Sequence, residues 1–182
     1  MSYNINYILE NVMIVNNIKT HIKNVISEIT TKQIIFEIYN LTNLTEYTYL
    51  KNNYEKKIND LMIGCFGNGK YPIYMNNGFW ILAKLDNELV AVVMIQFKKS
   101  APWIWNVCRN IKDIYKSYGI GKHIVLYALN YLELYYPIYK KIYLYASQKP
   151  VSRTKFYQDM GFKLTGKIST DGITPEMVFN QT

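Results

Sequence analysis

A glycine-rich turn at residues 116–122 constrains this chain most, because it opens directly onto a long segment of helical periodicity. The turn reads Lys-Ser-Tyr-Gly-Ile-Gly-Lys. Such a turn points consecutive backbone N–H groups, together with the positive end of a helix dipole, at one spot. It therefore predicts a helix that starts at Gly119 and a binding position for a phosphate or pyrophosphate group.

The segment before the turn contains two helical patterns and four strand patterns. Residues 16–31 carry isoleucine and valine at helical spacing, which is typical of a helix packed on a core, with a dimer contact as the alternative. Asn43 and Glu46 have the spacing of a helix N-cap and its N3 partner. Asp86 and Asn87 separate two apolar runs, as a hairpin turn would. The predicted elements are helices 16–31 and 44–65 and strands 33–39, 78–85, 88–98 and 102–108.

The segment after the turn alternates helix and strand. An apolar stripe continues from Gly119 until Pro137 ends the helix. Pro150 suits the first turn of a later helix, and Gly161 suits the left-handed position after its end. This order indicates a mixed α/β or α+β fold without internal repeats. The predicted elements are helices 119–136 and 150–160 and strands 141–146, 162–168 and 175–180.

The composition suits one folded domain with an anionic ligand. The chain has 182 residues, of which 49% are hydrophobic, enough for a core of its own. A net charge of +8 favours anionic partners. The Lys and Arg residues are scattered rather than gathered into a run, so nucleic acid is a weaker candidate than a phosphate-bearing small molecule.

The two cysteines, Cys65 and Cys108, lie far apart in sequence and have no metal-ligand spacing. This pattern argues against a disulfide framework and against a zinc site, and it favours a reducing, cytoplasmic location. The first residues lack a basic segment followed by an apolar one, and charged residues interrupt the most apolar stretch, 79–97. We therefore expect neither a signal peptide nor a membrane partner.

Two nucleotide-binding motifs match in letters but not in context. Residues 64–70 read Gly-x-x-x-x-Gly-Lys, as a P-loop does, yet a helix precedes them and Tyr71 stands where the hydroxyl ligand of Mg²⁺ is needed. Gly119 and Gly121 could begin a dinucleotide fingerprint, but Ile124 occupies its third glycine position. The sequence thus predicts neither an ATPase nor a Rossmann domain.

Two motifs follow each other in a fixed order. Residues 116–121 read Lys-x-x-Gly-x-Gly, and residues 156–162 read Phe-Tyr-Gln-Asp-Met-Gly-Phe, with one helix and one strand between them. The pair resembles the GNAT superfamily of N-acetyltransferases. Its acetyl-CoA loop reads Arg/Gln-x-x-Gly-x-Gly/Ala, and its later helix commonly ends in Phe/Leu-Tyr-x-x-x-Gly-Phe. The matching element order extends from about Gln33 to Asn180.

The resemblance implies a fold and a reaction. The fold is a mixed, mostly antiparallel central sheet flanked by helices. Residues 33–182 would form the acetyl-CoA-binding domain, and residues 1–32 an additional helical segment packed on it. The implied reaction moves the acetyl group of acetyl-CoA directly onto a primary amine within a ternary complex, without a metal.

The resemblance also assigns residues to the cofactor. The turn would bind the pyrophosphate, because glycine lets the backbone approach the phosphates. The end of strand 102–108 would pair with the pantetheine arm. Pro150 stands where relatives often have a cofactor-binding Asn, with Ser147 or Ser152 as substitutes. Arg153 and Lys155 could meet the 3′-phosphate or be solvated helix charges. The implied cofactor-binding residues are Val107, Cys108, Lys116, Ser117, Tyr118, Gly119, Ile120, Gly121, Lys122 and Ser152.

Tyr157 matches the tyrosine that in many relatives protonates the departing CoA thiolate. With an ordinary pKa near 10, a tyrosine is protonated at neutral pH and can donate to a sulfur anion. The alternative is a packing role, since the chain has 18 tyrosines. For His21 and His123 we expect structural roles.

The general base and the acceptor stay open at this level. The predicted strand 102–108 has no carboxylate, so Glu37, Glu46 and Glu176 are only candidates for the base. Tyr71, Tyr74 and Phe79 in or near the loop before the hairpin could bind a cationic amine or could simply pack. The acceptor is a small amine or polyamine, a protein N-terminus or a lysine. A degenerate acetyl-CoA-binding or nucleic-acid-binding domain of the same fold is the alternative.

Overall fold

The structure is a computed structural model that describes residues 2–3, 34–67, 69–98, 101–112, 119–148 and 152–181. Within these residues it contains eight strands and three helices. The strands are β1 Ser2–Tyr3, β2 Ile34–Asn40, β3 Gly78–Leu85, β4 Glu88–Lys98, β5 Ala101–Arg109, β6 Lys141–Tyr145, β7 Lys163–Ile168 and β8 Pro175–Asn180; the helices are α1 Leu44–Phe66, α2 Ile120–Tyr135 and α3 Thr154–Gln158.

All eight strands form one sheet in the order β1-β2-β3-β4-β5-β6-β8-β7. Every neighbouring pair is antiparallel except β5 and β6, which run parallel. A parallel pair needs a crossover connection, and α2 supplies it. This mixed, mostly antiparallel sheet with flanking helices confirms the predicted fold class.

The sheet buries a different core on each face. On one face, α2 packs Ile124, Val125, Ala128, Leu129 and Leu132 against strands from both halves of the sheet. On the other face, α1 packs Leu50, Tyr54, Ile58 and Met62 over β3, β4 and β5. No described helix combines the length and the apolar character needed to cross a membrane.

The predicted turns and caps agree with the structure. Asp86 and Asn87 both have positive φ, at 51° and 64°, which fits the twist of a two-residue hairpin. The Asn43 side chain accepts hydrogen bonds from the backbone N–H groups of Thr45 and Glu46, which confirms the predicted N-cap. The Glu46 carboxylate accepts a hydrogen bond from the backbone of Asn40 rather than from that of Asn43, so the predicted N3 contact is not formed. Gly161 has a φ of 95° after α3.

One predicted helix differs from the structure, and one strand was not predicted. The helix predicted over 150–160 is shorter, because α3 begins at Thr154, where Ser152 Oγ accepts from the Thr154 N–H. Ser2 and Tyr3 form an edge strand on β2 that the sequence reading did not predict. The predicted helix 16–31 lies outside the described residues, so the helical extension stays a prediction.

A polar network ties β2, β3 and α1 together beside the second core. Lys84 Nζ lies 2.7 Å from Glu37 Oε1 and also contacts the Tyr54 hydroxyl, and the Tyr39 hydroxyl donates to Glu37 at 2.8 Å. Burial opposes ionisation of Glu37, but these hydrogen bonds and the charge of Lys84 lower its pKa below the ordinary 4.5. Burial and the neighbouring carboxylate raise the pKa of Tyr39. Glu37 is thus held ionised within the fold.

We expect Glu37→Gln to destabilise the fold by about 1–3 kcal/mol at neutral pH, because Lys84 would lose its counter-charge. The folded pKa of Glu37 is lowered, so its contribution is present above 4.5 and is lost as the pH falls through the folded value. Urea unfolding at pH 7 and at about pH 3 measures this. The difference from wild type should shrink in acid, whereas equal destabilisation at both pH values would contradict the ion pair. Asp159→Asn, in the exposed Lys155 pair, is the control.

The structure contradicts the prediction for the cysteines. Cys65, near the end of α1, and Cys108, near the end of β5, form a disulfide with their Cα atoms 6.0 Å apart. Sequence separation misled the prediction, because α1 packs along β5 and brings together two residues 43 positions apart. A disulfide is typical of oxidising compartments, so the cysteines no longer support a reducing location. A cytoplasmic location stays a prediction without that support.

Reduction should lower the free energy of unfolding by roughly 2–4 kcal/mol, since the disulfide closes a 43-residue loop. Urea unfolding with and without dithiothreitol measures the loss. The Cys65→Ala, Cys108→Ala double variant should match the reduced protein and show no response to dithiothreitol. Two free thiols per chain in untreated protein would contradict the disulfide.

Candidate functional site

The sheet opens between its two parallel strands. The ladder between β5 and β6 consists of only two residue pairs, Trp103 with Tyr143 and Ile104 with Leu144. Beyond Ile104 the strands are no longer paired, although β5 continues to Arg109. The opening therefore exposes backbone groups of β5 on the side that β6 has left, where an extended ligand could pair with them.

A β-bulge lies on β5 beside this opening. Between Val92 and Met94 on β4, one residue faces two on β5, namely Asn106 and Val107. Asn106 takes the left-handed conformation, with a φ of 51°. A bulge of this kind bends its strand and redirects backbone groups, and such bulges are frequent beside active sites. Val107, one of the predicted cofactor residues, lies at this bulge.

The start of α2 lies beside the end of β5. Gly119 is the N-cap and has a φ of 58°, a conformation that favours glycine. A Cβ at Gly121 would lie 3.4 Å from the Arg109 side chain and 3.9 Å from the Phe156 ring. Since 3.4 Å is an ordinary contact, the fold itself does not require glycine at position 121. The two sequence motifs, far apart along the chain, therefore meet at Gly121 and Phe156.

Tyr157 lies on the α2 face of the sheet, in the same core as Ile104, Leu144 and Ala146. Its side chain is 8% exposed and packs edge-on against Phe156 and Phe162. Burial raises its pKa to about 12, and the nearby charge of Arg153 opposes the rise only in part. Because of this raised pKa, the hydroxyl is protonated at neutral pH. It has no hydrogen-bond partner within the described part of the chain, so it is available as a donor.

Only some of the remaining predicted cofactor-binding residues lie beside Gly121. Ile120 and Lys122 lie in the first turn of α2 beside Gly121. Ser152 is exposed before α3. The Cys108 side chain points into the α1 core, so only its backbone could face a ligand. Lys155 pairs with Asp159 in solvent, which agrees with a solvated charge. Lys116, Ser117, Tyr118 and Pro150 lie outside the described residues.

The three carboxylates that were candidates for the general base have different surroundings in the structure. Glu46 accepts a hydrogen bond from the backbone N–H of Asn40 at the end of β2, and Glu37 belongs to the network with Lys84. Glu176 is paired across the sheet with Tyr145, the last residue of β6, and is therefore close to the opening. It is 6% exposed and accepts a hydrogen bond from Thr165 at 2.9 Å.

Four half-buried rings cover the sheet beside the opening, on the face opposite α2. Trp103 stacks on Tyr143 at 5.2 Å and contacts Tyr145 at 5.1 Å, and Trp105 meets Tyr145 at 6.3 Å between ring centroids. We call this set, Trp103, Trp105, Tyr143 and Tyr145, the aromatic surface. The indole N–H of Trp105 is buried and has no acceptor among the described residues.

The aromatic surface was not predicted, although both strands that form it show a regular alternation of residue types. The predicted strands 102–108 and 141–146 both alternate aromatic residues with buried aliphatic ones, so the rings of each strand share one face. Only the parallel pairing of β5 with β6 joins the two rows, and no local pattern shows that pairing.

Among the aromatic residues in or near the loop before the hairpin, which could bind a cationic acceptor, Phe79 has a packing role. Phe79 belongs to β3, is buried, and stacks with Tyr136 on the α2 face, so the packing alternative is correct for this residue. Tyr74 is exposed. A separate cleft of about 410 Å³ lies between α1, the β3–β4 turn and residues 109–112, and none of the predicted site residues lines it.

Three solved structures share this architecture over most of the chain. ElaA of Escherichia coli is 17% identical, with 81% of this chain and 100% of that chain covered and a TM-score of 0.59. An acyl-CoA N-acyltransferase from Pseudomonas aeruginosa is 16% identical, with coverage of 81% and 99% and a TM-score of 0.58. A GNAT family acetyltransferase from Elizabethkingia anophelis, solved with acetyl-CoA bound, is 15% identical, with coverage of 81% and 98% and a TM-score of 0.51.

No protein-family model matches the sequence, and no curated protein matches it. The identities to the solved structures are low, so the likeness concerns the architecture. The chain therefore has the fold of the GNAT superfamily of acetyltransferases.

Proposed function

We propose that this protein is an N-acetyltransferase that moves the acetyl group of acetyl-CoA onto a primary amine within a ternary complex. The observation that carries the proposal is the convergence of four features at one opening of the sheet. They are the short parallel ladder, the bulge at Asn106, the glycine turn before α2 and the buried Tyr157.

The described residues fit acetyl-CoA. Beyond Ile104, β5 offers unpaired backbone groups to an extended amide-containing arm such as pantetheine. The start of α2 offers N–H groups and the positive end of a helix dipole to a pyrophosphate. The net charge of +8 also attracts a polyanionic donor.

The chemistry that we propose is direct attack. The amine nitrogen forms a bond to the thioester carbonyl carbon, and the carbon–sulfur bond breaks. The ammonium form of the acceptor first gives up a proton to a carboxylate or to water, and Glu176 is the one of the three candidate carboxylates beside the opening. The departing sulfur takes the proton of the Tyr157 hydroxyl. The nitrogen of the new amide releases its remaining extra proton to water, and the tyrosine regains a proton from solvent, so that free CoA thiol and the N-acetylated amine leave.

The proposal covers three kinds of acceptor, namely a small-molecule amine or polyamine, a protein N-terminus and a lysine. A domain that binds acetyl-CoA without catalysing transfer is the second candidate. It is favoured by the raised pKa of Tyr157, because a tyrosine with a pKa of about 12 is a weaker acid than an ordinary tyrosine. The experiments that follow separate binding from transfer.

Gly121→Glu should abolish acetyl-CoA binding. The added carboxylate would place a negative charge beside the proposed pyrophosphate position, whereas its Cβ makes only an ordinary contact with Arg109. We expect the variant to fold and to show no rise in melting temperature with acetyl-CoA. Gly64→Glu, in α1 with nothing near its Cβ, is the matched control of equal charge and should keep the rise. A normal acetyl-CoA shift in Gly121→Glu would remove the turn from the donor site.

Tyr157→Phe should lower the rate of thiol release by roughly 100-fold while acetyl-CoA still stabilises the protein. Because burial raises the pKa of Tyr157 to about 12, the wild-type rate should not fall between pH 7 and about pH 10, where an ordinary tyrosine would begin to ionise. Tyr74→Phe, on an exposed tyrosine, is the control. Wild-type turnover by Tyr157→Phe across this range would exclude the proton-donor role.

A further inference from the structure

We propose that the aromatic surface and Glu176 form a subsite for the ammonium group of the acceptor, so that the acceptor is a cationic alkylamine. This inference rests on the proposed acetyl transfer and narrows its substrate class. Trp105 directly follows Ile104, the last residue of β5 that pairs with β6, and Tyr145 ends β6. Both therefore border the opening where the thioester would lie.

The surface is accessible because α1 covers only part of its face of the sheet. The α1 core takes in Trp80, Leu82, Val92 and Cys108 but none of the four rings. Trp103, Trp105, Tyr143 and Tyr145 are all half-buried, so each keeps part of its ring open to solvent. Rings at the edge of a core, next to a candidate catalytic opening, can therefore contact a ligand without unfolding anything.

A protein ammonium group already lies on this surface. Lys98 Nζ is 4.2 Å from the Trp105 ring centroid and 5.6 Å from that of Trp103. Both distances are within the range of a cation–π interaction, in which the negative face of the ring attracts the cation. Lys98 is itself exposed at the end of β4, so its side chain can leave the rings when another cation takes its place. The geometry of the rings is thus suited to a primary ammonium.

Glu176 places a carboxyl group beside the rings. It is the cross-strand partner of Tyr145, and such partners have their Cβ atoms about 4.5–5.5 Å apart on the same face. Thr165 holds one carboxylate oxygen by a hydrogen bond. Electron-rich ring faces and a buried carboxylate both repel an anion and attract a cation. The overall charge of +8 does not alter this local preference, because distant exposed charges are screened by salt.

The first experiment titrates tetramethylammonium chloride into the protein and follows tryptophan emission, without any acetyl donor. Trp80 is 3% exposed, so a solute reaches only Trp103 and Trp105 among the three tryptophans. We expect a saturable change in emission that neither sodium chloride nor tert-butanol, the neutral isostere, produces at the same concentration. A change of equal size with either of these controls would overturn the proposal.

The decisive variant is Lys98→Met, which removes the competing ammonium and leaves the rings in place. It should bind tetramethylammonium about two- to fivefold more tightly, the range expected for losing one exposed cation–π competitor. Lys56→Met, which removes an exposed lysine of α1, has the same effect on net charge and should leave the affinity unchanged. Glu176→Gln should weaken binding. An unchanged affinity in Lys98→Met, or equal gains in both lysine variants, would overturn the proposal.

The two proposals fail separately. If acetyl-CoA does not stabilise the protein but tetramethylammonium still binds, the cation subsite stands and acetyl transfer fails. If acetyl transfer occurs and Lys98→Met leaves the KM of every amine in a panel unchanged, the transferase stands and the subsite is excluded. We expect Lys98→Met to lower the KM for alkylamines with little change in kcat, because it removes a competitor and touches none of the reacting atoms.

Discussion

The structure depends on one parallel strand pair in an otherwise antiparallel sheet. Antiparallel neighbours could continue as hairpins, whereas the parallel pairing of β5 with β6 requires a connection across one face, which α2 makes. That pairing is only two residues long. It joins the two halves of the sheet and at the same time leaves the opening between them. The cores on the two faces, the glycine turn and the candidate site are all arranged around it.

The opening separates two chemical environments. On the α2 side, Tyr157 is enclosed by apolar residues, and its pKa is raised because burial disfavours the ionised form more than the charge of Arg153 favours it. On the opposite side, the aromatic surface and Glu176 favour cations. In the proposed reaction, a thioester placed between the strands would meet the protonated Tyr157 hydroxyl from one side and the acceptor amine, once it has lost its proton, from the other. The proposal thus places the proton donor and the acceptor on opposite faces of one sheet.

Local patterns in the sequence predicted most of the fold. Apolar periodicity, the Asp86-Asn87 turn and the Asn43 cap determine local structure, and the structure has each of them. The two motifs, each weak alone, were informative together because their spacing requires the β5-α2-β6 crossover. The acceptor side was not predicted, since its rings lie on two strands that meet only through that crossover.

The disulfide also could not be predicted from local patterns. The spacing of Cys65 and Cys108 in the sequence indicates no pairing, and their contact arises only because α1 packs along the end of β5. Among the candidate bases, sequence could not rank Glu37, Glu46 and Glu176, because each partner of these carboxylates comes from tertiary structure or, for Glu46, from the end of β2. Contacts between distant segments decide both questions.

A crystal structure of the protein with CoA tests the central claim most directly. The account predicts the pantetheine arm between β5 and β6 beyond Ile104, the sulfur near the Tyr157 hydroxyl, and the pyrophosphate against the backbone of Gly119 and Gly121. CoA bound instead in the cleft between α1 and residues 109–112, or the absence of CoA from the opening at saturating concentration, would contradict it.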